Sequence, residues 1–201
     1  MHEQFQLFIA VWLKFFFLFT PFFALSMFLS LTGDYTESRR RRLAVMITAA
    51  VAVLCVGLLF LGRQIFDIFG ITLNAFRLGV GGLLFLSSVA LVHGKKAAPE
   101  QNQEADIAVV PLAMPVIVGP ATTGTLLVLG ADLDGFAQRA TGCLALLAAV
   151  LGLGVMLLLA TKIERLVGHR NLNILSKLTG IILAALAAQM MMDGVLGFLA
   201  K

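Results

Sequence analysis

Six long apolar runs, separated by short polar connectors, limit what this chain can fold into more than any other feature. The runs cover residues 5–30, 43–62, 71–92, 107–130, 141–160 and 178–199. Crossing about 30 Å of hydrocarbon at about 1.5 Å per residue takes roughly 20 apolar residues, and each run reaches that length. Backbone groups in lipid must be hydrogen-bonded internally, so the runs are expected to be helices rather than strands.

Composition excludes the water-soluble alternative. The 201 residues are 60% hydrophobic and 13% charged, against about half and about a quarter in a soluble domain. The net charge of +4 sits in short connectors, where topogenic and lipid-headgroup roles account for it without nucleic acid. Cys55 and Cys143 fall inside apolar runs and read as small buried hydrophobes. His2, His93 and His169 are scattered over a terminus and two connectors, which gives no metal-ligand spacing. No nucleophile motif and no phosphate-binding GxxxxGKS loop occurs. No enzymatic activity, metal or cofactor is expected.

Connector charge predicts orientation. Residues 33–42, 93–106 and 161–177 carry Arg39, Arg40, Arg41, Arg42, Lys95, Lys96, Lys162, Arg165, Arg170 and Lys177. The other side has Lys14, Arg63, Arg139 and Lys201. Ten against four places the first set in the cytoplasm and both termini outside. Arg39–Arg42 reads as a stop-transfer anchor. Met1-His2-Glu3 offers no positive region of a signal peptide, so the first run is expected to stay as a span.

The two halves of the chain match weakly at a separation of 99 positions. Thr20-Pro21 falls on Gly119-Pro120, Ser26 on Thr125, Arg63 on Lys162, and Leu73-Asn74 on Leu172-Asn173. A repeat of three spans must enter the membrane the second time upside down, a recurrent design of secondary transporters. The expected architecture is therefore all-α and integral to the membrane. Its six transmembrane helices form two inverted three-helix repeats in a single domain, residues 1–201. Repeat one covers about 1–96, repeat two about 104–201, and residues 93–106 link them.

Prolines locate the candidate site. Pro21 lies deep in the first run, and Pro111, Pro115 and Pro120 lie along the fourth. An interior proline removes an N–H and clashes with the carbonyl four residues back, so the first and fourth helices are expected to be broken. Beyond Gly119-Pro120 come Thr122, Thr123 and Thr125, and beyond Thr20-Pro21 comes Ser26. A helix restarting there aims unpaired N–H groups and its positive dipole end at the gap, which suits a carboxylate. The competing reading is that the hydroxyls bond their own backbone carbonyls or a neighbouring helix. Arg77, Asp106, Gln189 and Asp193 are candidates for gating or ion coupling, with Asp193 as a proton-coupling carboxylate.

Residues 106–123, DIAVVPLAMPVIVGPATT, resemble the fourth-span motif of the MarC family, and 76–86, FRLGVGGLLFL, its third-span motif. The stretch from Lys177 to Met190 is similar to its sixth-span pattern, and the likeness covers essentially the whole chain. Span one departs from the family's NPxGxxP element: Thr20 stands for Asn, Phe23 for Gly and Ser26 for the second Pro. The resemblance implies a six-span bacterial inner-membrane protein related to LysE-type amino-acid exporters. It also implies a proton-linked carrier of small neutral amino acids, whose partners are the lipid bilayer and a carboxylate-bearing zwitterion. An ion or metal-ion pathway and a non-transporting scaffold are the alternatives. Whether the unit forms a homo-oligomer is left open.

Overall fold

The computed structural model describes residues 2–94 and 117–200. Among them are eight helices and no strand: α1 (His2–Leu18), α2 (Pro21–Leu31), α3 (Glu37–Phe69), α4 (Leu73–His93), α5 (Pro120–Asp132), α6 (Gly135–Leu158), α7 (Ala160–Val167) and α8 (His169–Leu199). Five spans are long and apolar enough to cross a membrane: α1 with α2, then α3, α4, α6 and α8. The 13 residues of α5 rise only about 20 Å. The first half of the fourth apolar run, with Pro111, Pro115 and the gating candidate Asp106, lies outside the described residues.

Several helices continue past their apolar runs. The 33 residues of α3 measure about 50 Å. The helix starts at the Thr36 cap, whose hydroxyl accepts from the Arg39 N–H at 3.4 Å, and takes in Arg39–Arg42. It stops at Gly70, whose φ of 62° is the left-handed conformation that closes a helix end. Two residues later Thr72 caps α4 by accepting from Ala75 N–H at 3.3 Å.

The first span breaks where the proline stands. Pro21 has no N–H for the Phe17 carbonyl; Thr20 N–H takes that carbonyl instead, at 2.9 Å. To make the turn Thr20 adopts φ 46°, ψ 58°, the only positive φ at a non-glycine among the described residues. For a β-branched residue this costs about 1–2 kcal/mol.

Nearly all helix packing runs between the halves of the chain. α4 lies against α8, α1 against α6, and α3 against both α5 and α6. α4 also touches α5, and α2 touches α8. One hydrophobic core spans both halves, with Phe15, Phe28, Ile47, Leu126, Leu146 and Leu153 buried in it.

Glycines set the two closest crossings. A Cβ on Gly81 of α4 would meet Met191 and the Ala187 carbonyl of α8; one on Gly180 of α8 would meet Val92 and the Ser88 carbonyl of α4. The helices are therefore antiparallel. Where α3 crosses α5, a Cβ on Gly62 would strike the Leu127 carbonyl, and one on Gly130 the Leu59 carbonyl.

Arginines hold the far ends of the two half-helices. Arg40 donates to the carbonyls of Thr32 (2.6 Å) and Gly33 (3.5 Å) at the end of α2. Arg139 donates through Nε to the Leu133 carbonyl (3.2 Å) at the end of α5. A cation there complements the negative end of the helix dipole.

Two stability outcomes follow for the purified protein in detergent. Gly130→Ala forces carbonyl against methyl at a crossing with no room and should lower stability by about 1–3 kcal/mol. Gly57→Ala, where nothing lies within 4 Å, should be neutral or slightly stabilising. Equal melting of the two variants would disprove the tight crossing. Thr20→Asn relieves the left-handed strain and should raise stability by about 1 kcal/mol; an unchanged or lower melting temperature would refute that strain.

Candidate functional site

Both half-helices begin with proline at their first turn and with no side chain capping the exposed N–H groups. In α2 the first bonded amide is Ala24, to the Thr20 carbonyl at 2.9 Å; in α5 it is Thr123, to Gly119 at 2.9 Å. Among the described residues, the amides of Phe22, Phe23, Ala121 and Thr122 therefore have no backbone acceptor. Pro21 is buried, Gly119 is half-buried and Pro120 exposed.

The hydroxyls divide into two groups. Ser26 donates to the Phe22 carbonyl at 3.0 Å, Thr122 to Ile117 at 3.3 Å, and Thr125 to Ala121 at 2.8 Å. Those three protons are engaged by their own chain, and the oxygens remain acceptors. The hydroxyls of Thr20 and Thr123, both half-buried, make no side-chain hydrogen bond among the described residues. Around each break, then, one hydroxyl and two amides have no hydrogen-bond partner among the described residues.

α5 is seated firmly on α4. A Cβ on Gly124 would run into Val80, so the first turn of α5 is fixed by packing against the third span.

A second polar constellation gathers charges from four helices. Arg77 of α4 pairs with Asp132 at the end of α5, their side chains 23% and 35% exposed. On α8, Gln189 donates to Asp193 at 2.8 Å. Lys14 of α1 lies close enough to interact electrostatically with Asp132, Asp193 and Arg77. The structure thus brings Arg77, Gln189 and Asp193, named from sequence, to one end of the bundle.

Lys14 and Asp132 join that group; sequence reasoning takes Lys14 as snorkelling to water and gives Asp132 no role. Asp132 sits at the edge of an apolar run and Lys14 near the start of another, where charges ordinarily snorkel to water. The available signal was complementarity of depth. In antiparallel neighbours, a charge one turn into α4 lies level with the last turn of α5.

Positions 99 away from the four charges are Ala113, Ser176, Gly33 and Gly94, none of them ionisable.

The family profile described as "MarC family integral membrane protein" matches residues 5–199. The chain is 33% identical to UPF0056 membrane protein MJ1677 of Methanocaldococcus jannaschii, over 96% of its own length and 98% of the relative's. It is 30% identical to a UPF0056 membrane protein of Aquifex aeolicus, over 96% and 94% of the two lengths. It is also 32% identical to UPF0056 inner membrane protein YhgN of Escherichia coli, over 80% and 82%. No solved structure matches it.

A double-mutant cycle on the charge network tests whether it is coupled. Arg77→Gln and Asp132→Asn should each lower thermal stability, and the double variant should recover part of the loss. With both side chains partly solvated, the expected coupling is about 1 kcal/mol or less. Strict additivity would mean that the pair contributes nothing.

Proposed function

Since the chain belongs to the MarC family of integral membrane proteins, we propose that it is a secondary transporter of small neutral amino acids or similar zwitterions. The observation that carries this reading is the pair of half-helices. Each begins at a proline within the span and, among the described residues, leaves two amides and one hydroxyl without a partner at its positive end. A carboxylate meets both charge and hydrogen-bond demand there. An irregular backbone at membrane depth is tolerated where it lines a cavity, and broken helices mark the substrate site in transporters built of inverted repeats.

Packing supports the inverted repeat. Gly81 and Gly180 are 99 positions apart, as are their partners Ser88 and Ala187, and Val92 and Met191. The crossing of α4 and α8 thus maps onto itself when the halves are exchanged. The contact of α4 with α5 corresponds in the same way to that of α8 with α2. Because α4 and α8 are antiparallel, the exchange turns the unit over, and α2 and α5 run from their breaks toward opposite ends of the bundle. On this reading the chain is multi-pass in the bacterial inner membrane, with six spans and both termini periplasmic. The Lys14–Arg77–Asp132–Asp193 network is then the external gate. Asp193, neutralised by protonation, supplies a route for proton coupling.

Uptake and binding in proteoliposomes, with radiolabelled glycine and alanine, test the site. Thr123→Val removes the free hydroxyl at constant volume. Because a hydrogen bond to a charged group contributes about 1.5–3 kcal/mol, affinity should fall about tenfold or more. Thr125→Val, whose proton is already committed to Ala121, should lose much less. Amidating the substrate carboxyl should abolish binding to the wild type. If Thr123→Val binds and transports like wild type, the helix-break site is wrong. If no amino acid or metal ion is carried at all, the scaffold reading takes its place.

A further inference from the structure

Two cavities lie at opposite ends of the antiparallel pair α3 and α6, and they are built from corresponding positions. The first, about 160 Å³, is lined by Leu59, Phe60, Arg63 and Arg139, with Asp67 and Gln64 beside them. The second, about 320 Å³, is lined by Leu158, Leu159, Lys162 and Arg40, with Arg41 and Glu37. Leu59 and Leu158, Phe60 and Leu159, Arg63 and Lys162, and Arg40 and Arg139 are each 99 positions apart. Part of the lining is shared, but the charge is not.

In the first cavity Asp67 is present, and Arg63 is held by Asp134 at 3.7 Å. In the second, three cations face one acid, and Glu37 already pairs with Arg41 at 2.8 Å. Arg40 has only neutral partners: Thr161 Oγ1 at 2.8 Å and the carbonyls of Thr32 and Gly33. Its Nε–H is buried with no acceptor, the only such side-chain atom among the described residues. Neither Arg40 nor Lys162 has a carboxylate within ion-pair distance among those residues. Among the described residues, two positive charges thus stand uncompensated at one rim.

Directly below them the lining turns apolar and faces outward: Leu158 is 43% and Leu159 42% exposed. Here α6 ends and α7 begins, a short amphipathic helix with Lys162 and Arg165 on it and Leu166 86% exposed. Such a segment suits the boundary between headgroups and acyl chains. A basic rim above exposed leucines, at that depth, is complementary to one molecule that carries an anionic head and an apolar tail. We infer that this second cavity binds an anionic phospholipid, its phosphate between Arg40, Arg41 and Lys162 and an acyl chain along Leu158 and Leu159. Basic pockets between spans recognise lipid headgroups by the same chemistry. The inference does not depend on what the protein transports.

Thermal unfolding of the purified full chain in detergent, titrated with phosphatidylglycerol, phosphatidylcholine or sodium phosphate, tests it. Phosphatidylglycerol should raise the melting temperature of wild type more than phosphatidylcholine does, and phosphate at the same concentration should not. Arg41→Gln with Lys162→Gln, both side chains exposed and dispensable for packing, should raise the half-saturating phosphatidylglycerol concentration about tenfold or more. Arg63→Gln, in the corresponding cavity, should leave it unchanged. Equal responses to the two lipids, or a double variant that titrates like wild type, would overturn the proposal. A shift reproduced by phosphate alone would replace the lipid with a free anion and overturn it too.

Discussion

The fold depends on helices of one half packing against helices of the other. In a bilayer, lipid tails are as apolar as leucine, so no hydrophobic force gathers spans together. Association rests on close van der Waals contact and on polar groups that find partners. Gly81 against Ala187, Gly180 against Ser88 and the mutual approach of Gly62 and Gly130 with α5 and α3 bring backbones within reach. Among the described residues neither half buries a core of its own; the main core and a small cluster of Val80, Val128 and Met190 each draw on both. Where helices meet this closely, a methyl group has nowhere to go.

Upon that frame the broken helices are positioned rather than flexible. Thr20 is held in an unfavourable conformation, the far end of α2 is tied by Arg40, and that of α5 by Arg139. Gly124 on Val80 fixes the start of α5 against α4. A half-helix held at its C-terminal end keeps the amides of its first turn in a fixed direction.

Much of this was legible in the sequence, for a physical reason. Helical class, membrane-spanning length and the break at Pro21 follow from apolar length and from proline, both local properties; of the six spans expected, five stand among the described residues. The ends of the helices were less legible. Polarity reports depth in the membrane, whereas a helix ends where its hydrogen bonding stops; α3 therefore takes in Arg39–Arg42, and α8 begins at His169, nine residues before its apolar run. Thr123 could not be told from Thr125 by type, because only the carbonyl each hydroxyl meets separates them. The grouping of Lys14 and Asp132 was missed because each is unremarkable on its own helix and acquires meaning from a residue on another.

That last arrangement bears on how the protein is made. The cations of the network, Lys14 and Arg77, belong to the first half of the chain, and its carboxylates, Asp132 and Asp193, to the second. At about 5–20 residues per second of synthesis, the ribosome finishes the first three spans roughly 5–20 s before their counterparts exist. For about the first 2–8 s of that interval, until α5 and Asp132 are made, the two positive charges and the bare glycine faces of α3 and α4 have no partner from the second half. Until Asp132 and Asp193 emerge, Lys14 and Arg77 therefore depend on water or lipid headgroups for solvation.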